Sequence, residues 1–323
     1  MNKGSSTKNL SFKEFMEYVK DEISRVKGNE YEVKINHIIK NNSIELDGLV
    51  ILKSGDTLSP NIYLNDYYEQ YIEGINLESI IEKIIVIHEN SKYNDLAQNT
   101  NYYDFELMKS FIIYRIINND KNKELLKTIP YISFLDLAIT FHCLIQSNGE
   151  GIGTIRITHD LLMHWNTSIE VVTELARINT PRLFPPLIRS MEDVINDILN
   201  NDNNYLNSNE TDVTLEAEIM PIKQEELQSN MYVLSNVKGI NGASCLLYPE
   251  IIKKFANQRN SDFYILPSSI HELILIPIRN TMKLSDLAAM VSDVNDTQVA
   301  TEDVLSNHVY IYRRKDDAIS LQH

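Results

Sequence analysis

Cysteine is scarce, with 2 in 323 residues. Cys143 and Cys245 each lie inside an apolar segment and are far apart in the chain, a spacing that suggests neither a disulfide framework nor a clustered zinc site. Buried free thiols in a reducing compartment are the expectation. Long apolar runs are missing too. The opening MNKGSSTKNLSFKEF lacks the uninterrupted apolar stretch of a signal peptide, and nothing later approaches the roughly 18 apolar residues of a spanning helix. The reading is a soluble, cytoplasmic protein with no membrane partner. Positive charge is in deficit: Lys+Arg 30 stand against Asp+Glu 45, a formal net charge of −15. Such a chain repels phosphate backbones on average. Its densest basic group, Arg313, Arg314 and Lys315, is followed at once by Asp316 and Asp317. Nucleic acid is therefore not expected as a partner.

What is present is a patterned core. Ser11 and Glu14 have capping-box spacing, and Phe12, Phe15, Met16, Val19, Ile23 and Val26 share one helical face. After Gly28 the period changes to that of a strand, with Tyr31, Val33 and Ile35 alternating, a turn at KNNS (40–43) and a resumption through Ile44, Leu46 and Leu49. NIYL (61–64) reads as a strand, DYYEQYIEG as a helix ending at Gly74, and LESIIEKIIVIHEN as a further helix. SFIIYRII (110–117) is strand-like. The run Tyr131–Ile145 alternates as one strand, with Leu135, Leu137, Ile139, Phe141, Cys143 and Ile145 on one face and Asp136, Thr140 and His142 on the other. GIGTIRIT (151–158) can pair with it through SNGEG. Helices follow at about 159–165 and 168–178. NTPRLFPP (179–186) then reads as an extended, proline-stiffened segment, and Ser190 and Asp193 open another helix.

The polar, acidic stretch 201–228 reads as a linker or long loop, too poor in apolar residues to join a core. It separates an N-terminal region (1–98) and a middle α/β region (99–200) from a C-terminal unit (229–323). Beyond it the order is β-α-β-β-α-β: MYVLSNV, a helix over about 243–257, DFYILP, ELILIPI, a helix across LSDLAAMVSDV, and HVYIYRR. The fold class is α+β, with mixed sheets and helices packed on one face.

Three places could carry chemistry. In FYILPSSIHELILIP, Ser268, Ser269, His271 and Glu272 sit at a connection between strands, where a base and a nucleophile could be displayed. The stretch has no G-x-S-x-G elbow, and Leu275 stands where a zinc-binding helix would need its second histidine. The competing reading is a turn ended by Pro267, with Ser269 and Glu272 at capping spacing. In GINGASCLLYPE, Gly242 and Ser244 lie at a helix start whose N–H groups could hold a small anion, although the pattern is neither GxGxxG nor a P-loop. Arg182, in NTPRLFPP, could grip a carboxylate or phosphate or pair with an acidic neighbour. His142, His159 and His164 fall on different elements, and no metal site is expected. Trp165 reads as a core or interface anchor.

The segments NIYLNDYYEQYIEG, IPYISFLDLAITF, NTPRLFPPLIRSMEDV, MYVLSNVKGINGASCLLYPE, FYILPSSIHELILIP and MVSDVNDTQVATEDVLSNHVYIYRR, in this order, resemble an uncharacterised family of bacterial intracellular proteins known as a domain of unknown function. A weaker similarity extends to the YtpQ-like proteins, which are also without assigned activity. The resemblance implies a bacterial α+β protein and no reaction, cofactor or catalytic residue. The expected function is thus a binding or interaction module, regulatory in one version, with a groove between the C-terminal unit and the preceding region. Its partner would be a protein or small molecule, and no cofactor is expected. The alternatives are a hydrolase-like enzyme using His271 with Ser268 or Ser269, or a protein binding a small anion or nucleotide at Gly242.

Overall fold

The computed structural model describes residues 9–56, 59–90, 101–148, 151–199, 230–278 and 283–322. They form two compact units, divided at Lys40/Asn41, Ser43/Ile44 and Asn101/Tyr102. The 201–228 stretch read as a linker lies outside the described residues.

The first unit begins with α1 (Phe12–Lys27), whose Ser11–Glu14 capping box forms as the spacing dictates. Strands β1 (Tyr31–Ile39) and β2 (Glu45–Lys53) make an antiparallel hairpin, and β3 (Asn61–Tyr63) adds to β2. Helices α2 (Asn65–Ile72) and α3 (Leu77–Asn90) follow. Phe15, Val19 and Ile23 of α1 bury with Leu49, Ile51, Ile80 and Ile84 in this unit's own core.

The second unit carries two sheets. In the first, β4 (Ile112–Asn118) and β5 (Tyr131–Phe134) flank β6 (Leu137–Asn148), and β7 (Gly151–Arg156) also pairs with β6. Helices α4 (His159–His164) and α5 (Ile169–Leu183) follow, then β8 (Pro186–Ser190) and α6 (Met191–Leu199), the last capped by Ser190 Oγ accepting from Asp193 N at 3.1 Å. Next come β9 (Tyr232–Asn236), a 3-10 turn at Gly242–Leu247, α7 (Ile251–Arg259), β10 (Phe263–Leu266), β11 (Leu273–Pro277), α8 (Leu284–Thr297), β12 (Val309–Arg313) and β13 (Ala318–Gln322). The second sheet runs β13-β12-β10-β11-β9-β8. Both sheets contribute to one core, where Phe141 and Cys143 of the first meet Tyr232, Phe263 and Leu273 of the second, with Phe255 of α7. Cys143 and Cys245 are free and buried, and burial pushes the Cys143 thiol up to about 12.

The α+β class and the β-α-β-β-α-β order are as read, but the helix expected over about 243–257 divides into the 3-10 turn at Gly242–Leu247 and α7 from Ile251, so Gly242 does not open an α-helix, and three further details differ. Every described strand pairing is antiparallel, where mixed sheets were expected. Tyr131–Ile145 is not one strand: it folds back at Leu135 and Asp136, so that Phe134 pairs with Leu137 and Ser133 with Ala138. Alternation runs unbroken through such a tight turn, which hides it from a period-based reading. Finally, residues 179–183 continue α5 with Pro181 inside the helix. The structure is extended only from β8 onward. Helical contacts of Asn179 and Thr180 with the β4 region outweigh the proline's preference: Asn179 Nδ2 donates to Lys109 O and Ile112 O, and Thr180 Oγ1 accepts from Tyr114 N at 3.0 Å.

The turn has a consequence for packing. Leu135 adopts φ 55, an unfavourable left-handed conformation for a bulky residue. It is held there by its neighbour. The Asp136 carboxylate accepts from Ser306 Oγ at 2.6 Å, His308 Nδ1 at 3.0 Å and Tyr310 OH at 2.5 Å. Burial pushes this carboxyl up, but the three hydrogen bonds outweigh it and hold it below the usual range. Because its folded value is depressed, the stability it contributes is full above about pH 4, its ordinary range, and is lost as pH falls through the lower folded value. Asp136→Asn keeps the shape but turns donors toward donors, so urea unfolding at pH 7 should show a loss of about 2–4 kcal/mol. The gap to wild type should narrow below pH 4, and a gap independent of pH would contradict the ionised network.

Candidate functional site

The connection between β10 and β11 is pinned along its backbone. Leu305 N donates to Ser268 O and Ser306 N to Pro267 O, both at 2.9 Å, and Ile270 N donates to Asp303 O at 2.8 Å. The 301–304 segment is itself braced by Asn42 Nδ2, which donates to Thr301 O and Val304 O, and by Asn41 Nδ2, which donates to Glu302 O. Ser269 Oγ accepts from His271 N at 3.0 Å, so this hydroxyl serves its own turn. The Ser269–Glu272 side-chain pairing at capping spacing is present, although no helical turn forms there. His271 is engaged at both ring nitrogens. Asn241 N donates to Nδ1 at 3.3 Å, and Nε2 lies 3.3 Å from Asp303 Oδ1. An Nδ1 that accepts leaves the proton on Nε2, which then donates to Asp303. Burial pushes the Glu272 carboxyl up, with Asp303 adding to this and His271 and Ser269 opposing it.

Gly242 fits against this turn because it has no side chain. A Cβ there would stand 2.0 Å from Ser235 Oγ, 2.4 Å from His271 O and 2.9 Å from Asn236 N. Ser235 Oγ donates to His271 O at 2.7 Å, and Ala243 N donates to Ile270 O at 3.1 Å. The N–H groups at the start of this 3-10 turn are thus partly consumed by the protein. Gly242 brings the segment close, and Asn241, at φ 53, aims its N–H at the imidazole.

On its other side the same segment borders a cleft. The cleft encloses about 250 Å³ of empty space that merges with open solvent, and its narrow inner part has room for about one water molecule. The outer strand β4 supplies Ile113, Tyr114 and Arg115, α5 and its end supply Thr180 and Phe184, and the segment after β9 supplies Asn236, Ile240, Asn241, Ser244 and Tyr248. Two of these residues keep each other occupied, since Tyr248 OH donates to Phe184 O at 2.8 Å. Three others have buried polar atoms without a hydrogen-bond partner: Tyr114 OH, Ser244 Oγ and Arg115 Nε. Buried polar groups are almost always paired, so orphan atoms on three residues lining one cleft are unusual. Among the described residues no carboxylate lines it.

Of the residues picked from the sequence, Gly242 and Ser244 come together with the 268–272 turn, Gly242 at the turn itself and Ser244 in the cleft wall. Arg182 stands apart, donating to Ser110 O at 2.7 Å and Asn179 Oδ1 at 3.2 Å. Trp165 is buried, and its indole N–H donates to Tyr102 O. The sequence reading passed over Tyr114 and Arg115, which look like ordinary members of a strand. The only signal was the charge in SFIIYRII, an arginine amid buried apolar residues. It also passed over Ser306, His308 and Tyr310, which join Asp136 only through the fold. Among the described residues no cluster of His, Cys, Asp or Glu could hold a metal ion, and no helix is long and apolar enough to cross a membrane.

Residues 12–314 match a family of unknown function, DUF5688, and the chain belongs to it. No curated protein and no solved structure matches it.

Two substitutions test this local picture. Gly242→Ala drives a Cβ into backbone and should destabilise by about 2–3 kcal/mol or more, read by urea unfolding; a near-neutral result would mean the close approach is absent. For Glu272 the folded carboxyl is raised, so its ionised form costs stability at neutral pH and the cost disappears as pH falls through the raised value. Glu272→Gln should therefore melt higher than wild type at pH 8, with the difference shrinking toward pH 4. A difference that grows on acidification would reverse the sign assigned to this group.

Proposed function

Since membership in this family brings no reaction with it, we propose from the geometry that the protein is a binding module whose site is the cleft between β4 and the Asn236–Tyr248 segment. The observation that carries this reading is the pair of buried hydroxyls without partners, Tyr114 OH and Ser244 Oγ, on residues that line one cleft. Leaving a buried polar group unpaired costs about 1–3 kcal/mol. A ligand that supplies hydrogen-bond acceptors recovers that energy only when it is bound. The 268–272 turn acts in this reading as a positioning element, with His271 holding the Asn241 backbone beside the cleft. His271, Ser268, Ser269 and Glu272 then carry no chemistry, because the imidazole is occupied at both nitrogens and Ser269 bonds its own turn. The reading also takes the protein as cytoplasmic, in keeping with two buried free thiols.

Thermal shift with acetate, acetamide, inorganic phosphate and glycerol tests the site. At least one probe should raise the melting temperature saturably, as expected for a ligand that binds only the folded chain. The double variant Tyr114→Phe with Ser244→Ala should lose that rise while melting no lower than wild type by itself, because it removes unsatisfied groups. If no probe shifts the melting point and the double variant is destabilised, the cleft is an ordinary hydrated niche and the reading falls.

A further inference from the structure

We propose that the outer face of the first sheet of the second unit carries a further binding site, for a doubly charged phosphoryl group gripped between Arg115 and Arg156 with Tyr131 at its rim. This site is separate from the cleft and does not rest on that reading. The strand registers bring its residues together. Phe141 and Cys143 of β6 belong to the core, so Thr140 and His142, which alternate with them, project to the opposite face. Arg115 on β4 and Tyr131 on β5 both stand opposite Thr140, and Ile113 on β4 and Arg156 on β7 both stand opposite His142. Cross-strand partners project to one face. It follows that β4 runs along one side of β6 while β5 and β7 share the other. The two arginines flank β6 from opposite sides, on strands about 10 Å apart, and Tyr131 lies one row along from Arg156.

The floor between them is closed by its own bonds. Thr140 and His142 are buried. Thr140 Oγ1 donates to Arg115 O at 3.4 Å and lies 3.1 Å from His142 Nε2, an arrangement that puts the ring proton on Nε2. The imidazole adds no charge: burial, then the charges of Arg115 and Arg156, hold it well below the usual imidazole range. Both arginines thus act on one ring. Arg115 is half-buried, and its Nε is buried without a hydrogen-bond partner. Burial, with the like charge of Arg156 adding to it, pulls Arg115 down to about 10. Two cations held near each other, one of them short of an acceptor, form an unfavourable arrangement that an anion relieves.

Nothing acidic interrupts this face. Among the described residues, the positions of β6 that project there from Ala138 to Leu144, and their partners on β4, β5 and β7, include no Asp or Glu. The chain's net charge of −15 repels anions at a distance, but physiological salt screens it beyond roughly 8 Å, so recognition falls to local groups. The number of cations selects the ligand. A carboxylate has one charge and two oxygens, which a single guanidinium fork satisfies. A phosphate monoester carries about −1.5 to −2 at neutral pH and three strong acceptor oxygens. That is enough for two forks and the Tyr131 hydroxyl. Tyr131 is 38% exposed, so the rim is open to a ligand from solvent.

The test is an NMR titration of the full chain at pH 8, following the His142 ring and the Thr140 amide, with sodium phosphate, methyl phosphate and sodium acetate at ionic strength matched with sodium chloride. Phosphate, methyl phosphate or both should move these signals saturably, and acetate should bind at least 10-fold more weakly. Saturation by methyl phosphate assigns the end group of a phosphate ester, and saturation by inorganic phosphate alone assigns the free ion. Arg115→Gln and Arg156→Gln should each weaken the response at least 10-fold with an unchanged circular dichroism spectrum. Arg115→Lys, which keeps the charge but not the fork, should weaken it less than Arg115→Gln. Tyr131→Phe, at an exposed position, should weaken it about 3-fold, and this variant with the acetate comparison decides the matter if an arginine variant unfolds. Acetate binding as tightly as phosphate would overturn the proposal, as would phosphate binding that survives both glutamine variants. Saturable shifts confined to the Asn241 and Ser244 amides would put the anion in the cleft and overturn it too, and so would the lack of a saturable shift with any probe.

Discussion

The second unit depends on one close approach, the packing of Gly242 against the Ser235 hydroxyl and the His271 carbonyl. Any larger residue would put a Cβ 2.4 Å from that backbone oxygen, and the segment after β9 would have to move away from the turn between β10 and β11. Three separate features follow from the contact. Asn241 can reach the imidazole, Ala243 can bond Ile270, and Ser244 comes to rest in the wall of the cleft. The turn in turn owes its place to a short antiparallel ladder with residues 303–306. A single glycine thus links the backbone of the second sheet to the wall of a cleft whose opposite side belongs to the first.

Charge follows a related logic. Among the described residues no carboxylate lines the cleft, while an arginine stands among buried apolar residues at the outer strand β4. The residue is half-buried, and its Nε is buried without a hydrogen-bond partner, which is unfavourable. The same strand is otherwise carefully satisfied: the Tyr114 N–H, which faces no neighbouring strand on that side, is capped by Thr180 Oγ1.

Much of the fold was legible because hydrophobic period is a local property. The helix after Ser11, the hairpin that follows, and the strand-helix order of the C-terminal part each announce themselves within a dozen or so residues. What was not legible was set by distant partners. Leu135 and Asp136 turn inside an unbroken alternation, and the turn is secured by Ser306, His308 and Tyr310 from far along the chain. Pro181 sits inside a helix because Thr180 and Asn179 find partners in and just before β4. The site was half visible. Gly242 and Ser244 stood out as a small-residue turn, whereas Tyr114 and Arg115 read as strand residues, since sequence does not reveal which polar group will be left without a partner.

That last distinction also separates the two polar clusters of the second unit. Asp136, Ser306 and His308 carry the residue types of a hydrolytic triad, and a motif search in space would choose them first. Their bonds argue otherwise. Ser306 donates to the carboxylate rather than presenting its hydroxyl to the far ring nitrogen, and Tyr310 donates to the carboxylate's other oxygen. The carboxylate is fully engaged by the fold itself, so the cluster behaves as a fastening for a strained turn. The cleft has the opposite character: less suggestive residue types, but donors with nothing to bond. Where one polar cluster closes on itself and another is left open, the open one is the place where an outside molecule can change the energy, and for this chain that reasoning favours the Tyr114 and Ser244 hydroxyls over the histidines.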